Sequence, residues 1–200
     1  MPQDLGRLRG DVAMKGIAER SEVLRALGEV FRAHGYEGAS LTLITEATGL
    51  GKGSLYHMFP GGKEQMAAEV LANIDAWFEL NIYAPLRAAD DPERAIAAMM
   101  AGVDEYFHSG NRVCLVGMVA LGAARDTFAA KVDGYFARWQ AALSSLLRRS
   151  GLSNSQAQRR AEDALLTIQG ALVLARARDD AGIFRRALTA STTRLLAAAD

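Results

Sequence analysis

Side chains that donate hydrogen bonds cluster between residues 49 and 64, in the run GLGKGSLYHMFPGGKE. They supply two ammonium groups, a hydroxyl, a phenol and an imidazole, from Lys52, Ser54, Tyr56, His57 and Lys63. From Ala47 to Lys63 the chain carries no acidic residue. Donors of these kinds bind phosphate oxygens and base edges, so this run is a candidate contact for nucleic acid.

Two short helices are predicted around this run. LTLITEAT forms the first, capped by Ser40 and ended by Gly49, and KGSLYHMF forms the second, before the PGG break. Short helices joined by a glycine-containing turn make a helix-turn-helix, whose second helix enters the DNA major groove. We expect Leu55 and Phe59 to face inward, with the polar residues of the second helix facing outward. The spacing alone leaves open that the glycine-rich segment is an ordinary loop.

Composition restricts the class of protein. Of 200 residues, 50% are hydrophobic and 23% charged, which is typical of a globular chain rather than a disordered one. The 23 basic and 23 acidic residues cancel, which argues against a broad polyanion-binding surface but allows a local one. A single cysteine, no signal sequence and no run of roughly 20 apolar residues predict a cytoplasmic protein without a membrane partner.

Helical periodicity runs through the chain, and no strand pattern of useful length occurs. An apolar stripe predicts a first helix from Ser21, its N-cap, to Gly35. Lys63 opens a longer helix that is expected to end near Tyr83, because Pro85 and the AADDP segment break it. The predicted fold class is all-α.

Three segments are predicted along the chain. Residues 1–19 form an N-terminal arm, residues 20–66 a three-helix helix-turn-helix domain, and residues 67–200 a larger helical domain whose first helix begins near Lys63. Asp91 is expected to cap a helix that starts at Pro92 in the larger domain.

The segment RSEVLRALGEVFRAHGYEGASLTLITEATGLGKGSLYHMFPGGKEQMAAEVL, residues 20–71, resembles the DNA-binding domain of the TetR family of repressors. The matching marks are the F…HGY helix end, I…ATGL and, above all, GKGSLYHMFPGGKE. The form YHMFPGGKE, with two glycines before the lysine, resembles the LmrA/YxaF-like subgroup. Two departures from the family pattern are Thr45, where alanine is usual, and Gly51, where a serine often caps the second helix.

The resemblance implies a ligand-responsive repressor that binds a palindromic, double-stranded operator as a homodimer. A small, mostly apolar effector would release it, and no cofactor, metal or enzymatic activity is implied. Tyr56 and Lys63 would hold the DNA backbone, while Lys52, Ser54 and His57 would lie nearer base edges. The full set of implied DNA-binding residues is Thr42, Lys52, Gly53, Ser54, Tyr56, His57 and Lys63.

A nearly all-apolar helix predicts the dimer interface. ALLTIQGALVLARA, residues 164–177, must be covered on both sides, by the core and by a partner subunit, with the last helix as its companion. The alternative is a central core helix in a monomer. The predicted interface residues are Ile168, Leu172, Ala175, Arg176, Phe184 and Leu188.

Aromatic and sulfur-containing residues in the middle of the chain predict an apolar ligand pocket with a few polar groups. Each of them alone is also consistent with plain core, and Cys114 with a small buried hydrophobe rather than a redox sensor. The predicted lining residues are Trp77, Phe78, Met100, Val103, Phe107, Arg112, Cys114, Met118, Phe136, Trp139 and Gln169.

Two other classes of protein compete with this interpretation. An all-α enzyme would need a nucleophile–base pair, paired carboxylates or a metal cluster, and the sequence presents none of these patterns. A helical dimerisation module without DNA function would leave residues 49–64 unexplained. DNA binding is therefore the favoured function.

Overall fold

The computed structural model describes the backbone of residues 4–198 and the side chains of residues 20–198. Within these residues the chain is helical and contains no strand, so the predicted all-α fold is confirmed. Contacts between residues divide it into two compact units, one ending at Asn73 and the other beginning at Ile74. This division falls within a single helix, Gly62–Phe78, as does the boundary predicted after residue 66.

The first unit holds three helices and the start of a fourth. These are α1 (Asp4–Gly38), α2 (Leu41–Thr48), α3 (Lys52–Met58) and α4 (Gly62–Phe78). α1 packs on α2, where Leu27, Phe31 and Ile44 are buried. Leu55 and Phe59 are 0% exposed, as their predicted inward orientation requires.

The first helix begins earlier than predicted. Its backbone is helical from Asp4, so Ser21 is an interior helical residue and not an N-cap. The predicted start rested on the apolar stripe, but a helix continues beyond its apolar stripe where the residues tolerate helical backbone. Gly35 interrupts the helix as expected, since its φ of 68° lies in the left-handed region. The first three residues of the predicted arm lie outside the described residues.

The second unit contains six further helices, which follow α4 and a π-helical turn at Glu79–Tyr83. They are α5 (Ala84–Ala88), α6 (Pro92–Tyr106), α7 (Leu115–Leu121), α8 (Ala129–Arg149), α9 (Asn154–Arg178) and α10 (Ala181–Leu196). α9 packs against both α8 and α10, and α10 also packs against α6. None of the described helices combines the length and the apolar character needed to cross a membrane.

Of the two predicted helix breakers, Pro85 does not end the helical backbone, whereas the AADDP segment does. The π-helical turn precedes Pro85, which therefore occupies the first turn of α5. The Ala84 amide donates to the Glu79 carbonyl, five residues back, so the π-helical turn widens the helix just ahead of Pro85, where the proline ring would otherwise meet the carbonyl four residues earlier. The chain leaves helical geometry only at Ala89, and Asp91 then caps α6 by accepting a hydrogen bond from the Arg94 amide at 3.1 Å.

Candidate nucleic-acid interface and apolar groove

Local hydrogen bonds fix α2, the turn and α3. The Ser40 hydroxyl accepts from the Leu43 amide at 3.3 Å, which caps α2 as predicted. Gly49 takes a φ of 68° and donates its amide to the Thr45 carbonyl at 3.0 Å. Gly51 stands at the N-cap of α3 with extended backbone and makes no side-chain cap bond. The first amides of α3 therefore lack a side-chain acceptor from the N-cap and are suited to a phosphate.

The outward side of α2 and α3 carries the predicted DNA-binding residues. Tyr56 is 46% exposed although it is a large aromatic. A Cβ added at Gly53 would meet no atom within 4 Å, so the space beside this part of α3 is open. The exposed members of the predicted set are Thr42, Lys52, Gly53, Ser54, Tyr56 and His57.

Lys63 differs from the others because it is half-buried and already engaged. Its Nζ donates to the Glu37 carbonyl at 3.3 Å and lies 4.7 Å from the centroid of the Tyr36 ring. Burial raises the pKa of Tyr36, with smaller contributions from Glu64 and Glu37, so the phenol stays neutral. The ammonium of Lys63 is thus held at one place on the surface by a neutral ring and a carbonyl.

Arg20 is a residue of this site that sequence reasoning missed. Its Nη1 donates to the Met58 carbonyl, in the last turn of α3, at 3.3 Å. Its Nη2 forms an ion pair with Glu69 at 2.6 Å, and its guanidinium carbon lies 4.8 Å from the centroid of the Phe59 ring. The hydrogen-bonded partners are 38 and 49 residues away in sequence, so no local pattern could have revealed these contacts.

The Arg20 ion pair continues into the turn after α3. Glu69 also accepts from Gln65 Nε2 at 2.9 Å, and Gln65 Oε1 accepts from the Gly61 amide at 2.7 Å. This chain of bonds joins α1, the end of α3, the PGG turn and α4. The position of α3 in the first unit is therefore set by polar contacts as well as by the buried Leu55 and Phe59.

The second unit has an apolar groove of about 700 Å³ with walls from α7, α8 and α9. This volume is within the range of about 300–1,000 Å³ that small-molecule sites occupy. Four of the predicted lining residues are found there, namely Cys114, Met118, Phe136 and Gln169. Gln169 Nε2 is buried and has no hydrogen-bond partner among the described residues.

Most of the other predicted lining residues belong to the core instead. Phe78, Phe107 and Trp139 are 0% exposed and pack ring to ring in an aromatic cluster. Burial of these three rings against one another places them in the core of the unit and away from the groove wall. Five of the seven are buried, namely Phe78, Met100, Val103, Phe107 and Trp139, while Trp77 and Arg112 are half-buried, and none of the seven lines this groove.

The residues of the predicted dimer interface differ in exposure. Five of the six are buried within the single chain, and only Arg176 is exposed. The helix is apolar nearly all round, and periodicity could not tell which side faces the core. The buried five are Ile168, Leu172, Ala175, Phe184 and Leu188.

A different face of α9 carries exposed apolar side chains. Leu166, Val173 and Leu174 are 64%, 62% and 53% exposed. Contiguous exposed apolar residues on a folded chain mark an interaction surface.

Cys114 is buried and caps α7, where its Sγ accepts from the Gly117 amide at 3.3 Å. It therefore has a structural role at the edge of the groove. Among the residues that the structure describes, no group of three or more His, Cys, Asp or Glu side chains could hold a metal ion.

Two family models match this chain. Residues 23–70 match the model described as bacterial regulatory proteins of the tetR family. Residues 92–190 match the model of the C-terminal domain of LmrA/YxaF-like transcriptional regulators. The first match contains the helix-turn-helix, and the second contains the apolar groove.

Individual proteins are similar over most of the chain. The HTH-type transcriptional regulator LmrA of Bacillus subtilis is 28% identical over 159 residues, which cover 78% of this chain and 85% of LmrA. A TetR-family regulator from Agrobacterium tumefaciens has the same fold, with a TM-score of 0.78 and 21% identity over 90% of this chain and 98% of its own. A cysteine mutant of the TetR-family regulator CifR, solved with 26-bp double-strand operator DNA, has a TM-score of 0.69 and 25% identity over 88% of this chain and 94% of its own.

Proposed function

The chain belongs to the TetR family of bacterial transcriptional regulators, and from this we propose that it is a repressor that binds a palindromic operator as a homodimer and is released by a small, mostly apolar effector. Proteins of this family regulate transcription and are not enzymes. A repressor of this kind works where the DNA is, in the cytoplasm.

The exposed N-terminal end of α3 is the observation that supports the DNA-binding part of the proposal. α3 begins with exposed Lys52, Gly53 and Ser54, and nothing in the first unit covers the space beside Gly53. A helix that starts with small residues brings its backbone close to DNA, and its N-terminus favours a phosphate. The CifR structure with operator DNA supports the same use of this fold.

The roles proposed for the individual side chains are those that the family resemblance implies. Tyr56 and Lys63 bind backbone phosphates, and Thr42 assists from α2. Lys52, Ser54 and His57 lie on the exposed side of α3 and read base edges. Phosphate contacts fix the register of the protein on DNA, and base contacts select the operator.

The effector part of the proposal rests on the groove between α7, α8 and α9. In the proposed dimer, the two helix-turn-helix units bind successive major grooves on one face of the duplex, which requires a separation of about 34–36 Å. An effector that prefers a different separation weakens DNA binding, and DNA weakens effector binding by the same factor.

An electrophoretic mobility shift on the DNA upstream of the protein's own gene, across salt concentrations, tests the DNA-binding part. Retention that weakens as salt rises is expected, because phosphate contacts release counterions. Loss of retention in the presence of an apolar compound that raises the melting temperature of the protein would support the effector part. No retention on any nearby promoter would contradict the proposal.

Replacing Tyr56 with phenylalanine should weaken operator binding roughly 10- to 100-fold, since one hydrogen bond to a charged phosphate contributes about 1.5–3 kcal/mol. The ring and its packing remain, so melting temperature and dimer formation should not change. Fluorescence anisotropy on operator and on unrelated DNA measures the effect. An equal loss on both DNAs identifies a phosphate contact, whereas a loss confined to the operator would assign Tyr56 to a base instead.

A further inference from the structure

One exposed stripe on α9 is symmetric about its centre. Residues four apart lie on one ridge of a helix, and here that ridge reads Glu162, Leu166, Gly170, Leu174, Arg178. All five residues are exposed in the single chain. On each side of Gly170 the ridge carries first a leucine and then a charged residue. The two charged residues, Glu162 and Arg178, have opposite sign.

The packing of the single chain does not require a glycine at the centre of this stripe. A Cβ added at Gly170 would meet no atom within 4 Å, so the chain's own packing would accept any small side chain there. Glycine inside a helix costs about 1 kcal/mol relative to alanine. A glycine between two exposed leucines instead allows a second helix to approach closely, at the 8–10 Å interaxial distance of packed helices.

The charged residues at the two ends of the stripe indicate that the approaching helix is α9 of a second copy. When two copies of α9 cross antiparallel at Gly170, Glu162 of each copy faces Arg178 of the other, and the leucines of the two ridges interdigitate. A two-fold axis requires such a self-complementary surface, since each contact occurs twice. A parallel crossing would place like charges together. The ion pairs are exposed and weak, so they set direction while the leucines supply affinity.

This stripe is continuous with the apolar groove. Leu166 and Gly170 belong to both, since they also line the groove. A second helix that crosses at Gly170 therefore lies against the open side of the groove. Gln169, next to the crossing point, lines the groove with its buried Nε2 unpartnered among the described side chains.

We propose that a second copy of this chain completes the groove, so that the effector is enclosed between the two subunits. The effector is an apolar molecule with a hydrogen-bond acceptor for Gln169 Nε2, and an anionic acceptor is favoured because Arg176 is an exposed cation on the same groove. The inference rests on the proposed effector response. By linkage, dimer formation must strengthen effector binding and effector must strengthen the dimer by the same factor.

Charge reversal tests the antiparallel crossing. Glu162→Arg alone and Arg178→Glu alone each place like charges at both symmetric contacts, so each should weaken the dimer roughly 10-fold in sedimentation equilibrium. The double variant restores both pairs and should recover wild-type dimerisation. Single variants without effect, or a double variant no better than the singles, would overturn the register.

A probe of known chemistry tests the shared site without DNA. 1-Anilinonaphthalene-8-sulfonate has an apolar ring system and a sulfonate acceptor, and one saturable site per subunit is expected by calorimetry. Leu174→Glu, at a leucine of the stripe that is 53% exposed and does not line the groove, should yield a folded monomer and lower probe affinity at least ~10-fold. Leu80→Glu, at a leucine 74% exposed outside the stripe, should change neither. Gln169→Leu should lower probe affinity while the dimer persists. Circular dichroism confirms helix content in each variant.

The reciprocal measurement separates this inference from the proposed function. Saturating probe should tighten the wild-type dimer by the factor that dimerisation tightens probe binding. No saturable site on the wild-type dimer, or a Leu174→Glu monomer that binds probe as well as wild type, would overturn the shared site. Either result would leave repression intact, because the mobility shift on operator DNA is measured independently.

Discussion

Replacing Gly53 with glutamine should lower operator affinity at least ~100-fold and leave the free protein no less stable. A Cβ at this position meets no atom within 4 Å, so a longer side chain projects into open space. Gly53 is the second residue of α3, where glycine is a poor helix former, and its replacement should stabilise the helix by a few tenths of a kcal/mol up to about 1 kcal/mol. Stability and DNA binding thus change in opposite directions.

The loss of DNA binding has a steric cause. If α3 enters the major groove by its N-terminal end, the space beside Gly53 is where the DNA backbone or base edge lies. Every added atom then displaces the helix, and interactions made by Lys52 and Ser54 are lost with it.

Two substitutions of different size at Gly53 test this steric cause. Gly53→Ala should bind operator more weakly than wild type and more tightly than Gly53→Gln, while thermal melting of both variants stays at or above the wild-type value. Anisotropy titrations on operator DNA at one salt concentration give the affinities. Wild-type affinity in Gly53→Gln would show that α3 does not approach DNA by this end, which would remove the main support for the assigned base contacts.

Local signals in the sequence were sufficient for the helix-turn-helix and for the start of α6. Ser40, Gly49 and Asp91 each act through a hydrogen bond or a dihedral angle within a few residues, so residue type and spacing predict them. The outward face of α3 followed in the same way, because in a seven-residue helix Leu55 leaves only one side for the core.

Contacts between distant segments could not be predicted in this way. Arg20 gave no signal because Met58 and Glu69 are brought to it by the packing of α1 with the later helices. In α9, Ile168 and Leu166 have the same chemistry and lie two residues apart, yet one is 0% and the other 64% exposed. Only the positions of α8 and α10 decide which is core, so periodicity alone does not separate the core side of α9 from its exposed side.

Replacing Arg20 with methionine should lower operator affinity roughly 10- to 100-fold, although Arg20 need not touch DNA. Methionine keeps most of the side-chain volume but leaves the Met58 carbonyl without this donor and Glu69 without its ion pair. Hydrogen bonds to charged groups contribute about 1.5–3 kcal/mol, and here that energy holds the end of α3 in place. Arg25→Met, at an exposed arginine of the same helix, is the matched control and should bind operator nearly as wild type does.

The salt dependence and a second variant decide between positioning and direct contact. A positioning residue leaves the slope of log affinity against log salt unchanged, whereas loss of a phosphate contact reduces its magnitude by about 0.9. The Glu69→Gln substitution should change operator affinity in opposite directions for the two roles of Arg20. If Arg20 binds phosphate, removing its competing carboxylate frees it and strengthens DNA binding. If Arg20 holds α3 through Glu69, the same change weakens binding, and that weakening is the result expected from the 2.6 Å ion pair.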